Sequence, residues 1–312
     1  MPEDRAFSCV IPVYNNFDCR RTRLSLSSVL AQDCRDKEVI VVECNQEPTL
    51  ESIGTQEGVK YVFVEGRAPF NTGMIRNVGV LASTRPFLYL LDSDIVLQRS
   101  DFLTNVGNAL SLQSDLILRR PPMRRLWMDS FDEFWCHHAA RGLRSAIDSL
   151  DKSSPHVATL GAPPPALKLV CPPGKEGSEA WTTTEELYRL YKSRPELKDL
   201  VPLIFCGTRH WGGVALRRAH FEHVGGYAHS FRGWGNEDTD LQWKLGECFN
   251  LEFFPDTTEF EVLHLDHEKP YFVPEKWRKN KAQADARLAR GLSSAIEQDR
   301  FACESLRRQA NG

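Results

Sequence analysis

Along the first 120 residues, continuous apolar runs alternate with stretches whose apolar positions recur every three to four residues. Residues 6–13 (Ala-Phe-Ser-Cys-Val-Ile-Pro-Val) form the first run, broken by Tyr14-Asn15-Asn16. Glu38 to Glu43, residues 59–64 and residues 86–91 form the next three. Between them, residues 18–32 have helical spacing, with Leu24, Leu26, Val29 and Leu30 on one face. Asn71-Thr72-Gly73 opens a second helix to about Ser83, with Ile75, Val78, Val80 and Leu81 facing in. Strands that are apolar throughout belong to a parallel sheet covered on both faces. The expected fold class is therefore α/β. Ligands in such sheets bind beyond the carboxyl ends of the strands. Pro12-Val13-Tyr14, Glu43-Cys44-Asn45 and Asp92-Ser93-Asp94 lie at such ends.

The pattern changes over residues 119–200. A helix is expected from about Leu126 to Leu150, then a Pro-rich stretch with Pro163-Pro164-Pro165 and Pro172-Pro173-Gly174, then a short helix at 184–192. This reads as an insertion with a mobile loop that shapes one wall of a cleft, not as a second sheet domain. The sheet resumes at 202–206 and at Val214-Ala215-Leu216. Arg217 to Val224 is a short helix stopped by Gly225-Gly226. Asp238 to about Cys248 is helical, with Leu241, Trp243, Leu245 and Phe249 apolar; Leu251–Phe254 and Glu259–Leu265 are short strands. Residues 275–309 form a charged helical tail, and there are no internal repeats.

Composition narrows the function. With 312 residues, 41% hydrophobic and 10% aromatic, the chain can bury one large core. A net charge of −3 argues against a nucleic-acid partner. No apolar run approaches the roughly 18 residues of a membrane span, and the polar, acidic start Met1 to Ala6 is not a signal peptide. The cysteines, Cys9, Cys44 and Cys206 among them, form no Cys-x-x-Cys pair. Free thiols in a reducing cytoplasm fit them better than disulfides or zinc. The tail carries Trp277 among Lys276, Arg278, Lys279 and Lys281. A solvated helix packed on the domain is preferred there over peripheral contact with a membrane.

Two acidic motifs carry the candidate chemistry. Asp92-Ser93-Asp94 places two carboxylates at a strand end, where hard oxygen ligands suit Mn²⁺ or Mg²⁺. The alternative is that both acids cap the next turn. His264 and His267 close a late apolar strand and could complete a mixed-ligand site, or be surface histidines. Glu237, Asp238 and Asp240 follow the turn Gly233-Trp234-Gly235. Acids at a helix start also suit the helix dipole on their own. Transfer from a nucleoside diphosphate needs a cation for the departing diphosphate and a carboxylate to take a hydroxyl proton. The two motifs together offer both.

Val10-Ile11-Pro12-Val13-Tyr14-Asn15, Asn71-Thr72-Gly73-Met74-Ile75-Arg76-Asn77-Val78-Gly79 and Leu90-Leu91-Asp92-Ser93-Asp94 resemble family-2 glycosyltransferases of the GT-A fold. Trp211 to Leu241 is similar to the C-terminal half of β-1,4-galactosyltransferases and bacterial chondroitin-type polymerases, whose pattern ends in Gly-Trp-Gly-x-Glu-Asp-x-Asp. The resemblance covers roughly residues 6–118 and 203–268. It implies a single GT-A domain over 1–270, with a donor half 1–118, the insertion 119–200 and an acceptor half 201–270, followed by a helical extension 271–312. It implies a metal-dependent inverting transfer of a hexose or N-acetylhexosamine from a UDP-sugar to a carbohydrate acceptor. Asp238 would be the base. Trp234, Glu237, Trp211 and Gly213 would hold the acceptor, and Asp240 would be structural. Pro12, Tyr14, Glu43, Arg76, Asn77, Asp92 and Ser93 would meet the donor. Asp94, Asp92 and a histidine, His267 in preference to His264, would hold the metal.

The chain departs from the family at Glu43-Cys44-Asn45, where members carry Asp-Asp or Asp-Gly-Ser, and the insertion matches nothing recognised. It has neither the stem nor the disulfides of the secretory galactosyltransferases, which favours a cytoplasmic enzyme of bacterial type. A retaining transferase of related fold, or a non-catalytic sugar-nucleotide binder, is the alternative.

Overall fold

The computed structural model describes residues 6–14, 19–66, 70–126, 131–150, 157–158, 167–169, 180–182, 209–267 and 274–311. The strands in chain order are β1 (Phe7–Tyr14), β2 (Lys37–Asn45), β3 (Val59–Glu65), β4 (Phe87–Leu90), β5 (Ile95–Leu97), β6 (Leu116–Arg119), β7 (Met123–Leu126), β8 (Val157–Ala158), β9 (Leu167–Leu169), β10 (Ala180–Thr182), β11 (Val214–Arg217), β12 (Asn250–Phe253) and β13 (Val262–Leu265).

The main sheet runs β12-β6-β11-β4-β1-β2-β3. β1 pairs in parallel with β2 and β4, β2 with β3, and β12 with β6; β11 alone runs against both its neighbours. The apolar runs have a direct cause. Phe7, Cys9 and Ile11 enter one core cluster while Val10 enters the other, so both faces of β1 are covered. Each such buried aliphatic side chain contributes about 1.5–3 kcal/mol.

The helix Thr72–Ala82 packs on this sheet. Asn71 caps it, its side chain accepting from the Met74 N–H at 2.9 Å. Ile75 and Val80 are buried as expected, but so are Arg76 and Asn77, so a polar strip also faces inward. Buried polar groups of this kind need partners: Arg76 finds Asp92 at the end of the neighbouring strand, and Asn77 finds the backbone of Tyr227.

A second sheet, β5-β13-β7-β8, differs from expectation. The residues read as one helix from Leu126 to Leu150 divide into β7, the helix Phe131–Arg141 and the helix Leu143–Ser149, with Gly142 between the last two. Met123–Leu126 and Val157–Ala158 thus belong to a sheet and not to a purely helical and loop insertion. The expected helix at 184–192, the strand at 202–206, the Pro-rich runs and Cys206 lie outside the described residues. The tail is also two helices, Pro274–Arg290 and Leu292–Asn311, meeting at Gly291. Among the described residues no helix is long and apolar enough to cross a membrane.

Candidate active site

The second sheet brings the late histidines to the Asp-x-Asp strand end. β13 runs antiparallel to β5, with His264 opposite Ile95, and the Leu265 N–H donates to the Asp94 carbonyl at 2.8 Å. His267 Nε2 lies 2.8 Å and His264 Nε2 3.2 Å from Asp94 Oδ2. Both histidines therefore converge on one carboxylate. Burial opposes ionisation of Asp94, yet His264 and then His267 hold it well below the ordinary carboxylate range. Its second oxygen, Oδ1, is buried without a hydrogen-bond partner. One carboxylate and two imidazoles with ligand atoms within 4.8 Å of one another suit a divalent cation, and the orphaned Oδ1 is an oxygen left for such an ion.

Asp92 is engaged differently. Arg76 Nη2 donates to Asp92 Oδ1 at 2.5 Å, and His210 Nε2 lies 2.9 Å from Oδ2. Burial works against the Asp92 charge, but Arg76 and then His210 bring its pKa down to about 2. The expected metal role of Asp92 therefore competes with two partners already in place. The backbone of the Gly-Gly pair closes on the same carboxylate: a Cβ on Gly212 would stand 2.8 Å from Asp92 Oδ2. His210 had no signal in the sequence, since a lone histidine next to a tryptophan gives no spacing to read.

Arg76 also reaches the second acidic motif. Its Nη1 is 3.7 Å from Glu237 Oε1, and Thr72 donates to the same oxygen at 2.8 Å. Glu237 is 2% exposed. Burial, and then the neighbouring Asp238 charge, raise its pKa to about 7 against the pull of Arg76. Asp238 is half-buried, and the Tyr227 hydroxyl donates to its Oδ1 at 3.0 Å. Tyr227, which directly follows the Gly225-Gly226 helix stop, was not singled out by the sequence.

The turn before these acids has a left-handed backbone at Gly233 (φ 74°), Gly235 (φ 104°) and Asn236 (φ 71°). Such angles suit glycine and, next best, asparagine. Asn280 in the first tail helix donates to the Arg232 and Gly235 carbonyls at 3.2 and 3.0 Å, and a Cβ on Gly235 would meet Trp277 at 2.6 Å. The tail therefore braces the turn that presents Trp234, Glu237 and Asp238.

The remaining expected residues have these surroundings. Glu43 accepts from the Thr49 and Leu50 N–H groups at 3.0 Å and from Tyr61 at 2.6 Å, so its carboxylate closes its own loop. Asn77 grips the Tyr227 backbone, donating to its carbonyl at 2.8 Å and accepting from its N–H at 2.9 Å. Gly213 packs against Pro121 and His210, and Trp211 lies under Arg120. Pro12 and Ser93 are buried, and Tyr14 is half-buried. Burial and then the Asp92 charge push the Tyr14 phenol up, as expected for a group beside that carboxylate. Asp240 is structural, as expected, held by Arg287 Nε at 2.6 Å.

A family model described as the N-terminal domain of galactosyltransferase matches residues 205–268, the stretch that holds Glu237, Asp238, His264 and His267. No curated protein matches the chain. The crystal structure of S. aureus TarS 1-349 aligns with a TM-score of 0.51 at 15% identity, over 90% of this chain and 64% of that one. The same protein in complex with UDP aligns with a TM-score of 0.50, also at 15% identity over 90% and 64%. The chain thus spans about 64% of the length of that relative. Sheet order and the alignment agree: the chain has a GT-A fold, and its residues 205–268 are similar to a galactosyltransferase domain.

Proposed function

We propose that the protein is a metal-dependent inverting glycosyltransferase that moves a hexose or N-acetylhexosamine from a UDP-sugar to a hydroxyl of a carbohydrate acceptor. The observation that carries this is the convergence of His264 and His267 on Asp94, with the Glu237-Asp238 pair linked to the same strand end through Arg76. The resemblance to TarS, crystallised with UDP, supports a uridine nucleotide as donor. Asp94, His264 and His267 would hold the cation, Mn²⁺ by the mixed donor set. Bound there, it would offset the charge that develops on the departing diphosphate.

The chain's own groups do the rest. Asp238 takes the proton of the acceptor hydroxyl as that oxygen attacks the anomeric carbon and the bond to the diphosphate breaks. Tyr227 orients its carboxylate. Glu237 and Trp234 seat the acceptor ring. Pro12, Tyr14 and Ser93 line the donor side. Asp238→Asn should leave donor binding intact in a thermal-shift assay and lower transfer by about 100-fold or more, the range for loss of a general base. Undiminished transfer would remove Asp238 from the role, and an NMR assignment of a retained anomeric centre would remove the inverting mechanism.

A second reading is favoured by one observation. Glu237 has a pKa of about 7 and a buried Oε2 without a hydrogen-bond partner, which suits a base working near neutrality. A Glu237→Gln protein that loses transfer while Asp238→Asn keeps it would transfer the role to Glu237.

A further inference from the structure

Beside the acid pair lies a cationic group that the mechanism above does not use. Arg119 ends β6 and Arg120 follows it, with a left-handed backbone (φ 53°) that a side chain other than glycine rarely adopts. Arg119 Nη1 and Arg120 Nε both donate to one neutral oxygen, Gln242 Oε1, at 3.1 and 2.8 Å. Gln242 is itself 1% exposed and fixed by donating to the Trp211 carbonyl at 3.1 Å. Among the described residues, neither arginine has a carboxylate within ion-pair distance, whereas their neighbour Arg209 is paired with Asp256 at 3.5 Å. The two guanidiniums are held by stacking instead: Arg120 lies 3.3 Å from the Trp211 ring centroid and Arg119 4.4 Å from that of Phe253.

Two half-buried like charges sharing a single neutral acceptor repel each other. Burial, and then the Arg119 charge, bring Arg120 down to about 10. A strained backbone and an unneutralised pair persist where the surroundings hold them for use. A guanidinium held by its face leaves its remaining N–H donors for a carboxylate or phosphate. Position then says which molecule supplies the anion. Gln242 lies one helical turn beyond Asp238, a separation of about 5–6 Å along the axis, which is about the width of a sugar ring. Asp238 is also the carboxylate that pulls on the Arg120 charge.

We infer, resting on the transferase reading above, that the acceptor carries an anionic group, a carboxylate or phosphate on its terminal sugar, and that Arg119 and Arg120 bind it while Asp238 meets the reacting hydroxyl. Gln242 and Trp211 act as the positioning residues of this pair.

The test compares three sugars that differ only at carbon 6: methyl β-D-glucoside, its 6-phosphate and methyl β-D-glucuronide. Binding of each is measured by calorimetry with Mn²⁺, in the absence of UDP and with UDP in excess, and UDP itself is titrated alongside, so no turnover is needed. The wild-type chain should bind at least one acidic sugar about tenfold or more tightly than the neutral one, with a preference that shrinks as salt is raised. The glucuronide and phosphate arms separate the two sources of charge. Arg119→Gln and Arg120→Gln should each collapse the difference between acidic and neutral sugars. Equal binding of all three by the wild-type chain would overturn the inference with no variant required. So would an acid preference that survives both substitutions, or acid binding that UDP abolishes, which would give the arginines to the donor. Loss of UDP binding in the same experiment, with the acid preference intact, would count against the transferase reading alone.

Discussion

Arg76 Nη1 stands 3.7 Å from Glu237 Oε1, and both side chains are only 3% exposed. Through Nη2 the same guanidinium holds Asp92, so one buried cation spans the two acidic motifs that the sequence presents as separate sites. Arg76 Nε and Nη1 make no hydrogen bond, so Nη2 alone bonds a carboxylate directly and Glu237 is reached through space. Removing the guanidinium leaves the buried Glu237 without its nearest cation and leaves Asp92, whose side chain is 35% exposed, with His210 alone. Arg76→Gln should therefore cost about 3 kcal/mol, the lower end for breaking a buried pair from one side. Arg76→Lys should cost less but not nothing, because an ammonium cannot span two carboxylates as a planar fork does. Urea unfolding of the three proteins checks the order, and an Arg76→Gln protein within about 1 kcal/mol of wild type would contradict it.

The position of Glu237 makes stability depend on pH. Its pKa is raised from 4.5 to about 7, by burial and then by Asp238. Over that window the folded chain keeps a proton that the unfolded chain has lost. Its contribution is therefore complete below about pH 4.5 and declines as pH rises toward about 7. The size is on the order of 3 kcal/mol. Glu237→Gln should flatten the curve of unfolding free energy in that window while leaving the acid limb below it. A variant with an unchanged slope there would place the titration on another group.

Metal binding by Asp94, His264 and His267 can be read without activity. At a free Mn²⁺ concentration near 100 times its dissociation constant, the wild-type chain should gain about 2.7 kcal/mol of stability. Chelation should reverse the gain. Asp94→Asn, His264→Ala and His267→Ala should each lose most of it. Both histidines approach the same oxygen, at 3.2 and 2.8 Å, so neither substitution should be silent. A full gain in His264→Ala would reduce the ligand set to the single histidine that the family resemblance favours.

The parts of this fold legible in the sequence are those where one physical cause dominates. Val10 and Ile11 lie in different cores, so β1 had to be apolar on both faces, with Ser8 the buried exception that donates to Glu38. Asn71 reads as a cap because little else places an amide before a helix. β7 was not legible. Met-Arg-Arg-Leu lacks an apolar alternation, and Arg124 is buried only because Gln98 and Glu261, far away in sequence, meet it. The same limit applies within the site. Asp94, His264, His267, Glu237 and Asp238 were named from residue type and order. The direction of a side chain was not: Glu43 and Asn77 turn to backbone amides and carbonyls that only folding brings near. His210 and Tyr227 could be recognised only once Asp92 and Asp238 had neighbours.

The two tail helices are fastened by a buried charge network that should be as costly to open as a core. Lys244, 0% exposed, donates to Asp299 Oδ2 at 2.5 Å and to the Gly226 carbonyl at 2.6 Å. Arg287 joins Asp299 to Asp240. Two acids and two bases balance, and Asp299 is the member supplied by the last helix. Asp299→Ala would leave Lys244 and Arg287 sharing Asp240 alone. The expected loss is about 3–5 kcal/mol. Arg307→Ala, in an exposed pair with Glu222 at 3.2 Å, should cost less than about 1 kcal/mol. Because Trp277 and Asn280 brace the Gly235 turn, loosening the tail should also reach the acid pair. Hydrogen exchange at residues 233–238 should therefore quicken in Asp299→Ala and not in Arg307→Ala. Equal protection of that turn in the two variants would mean that the tail holds on to the domain without steadying the site.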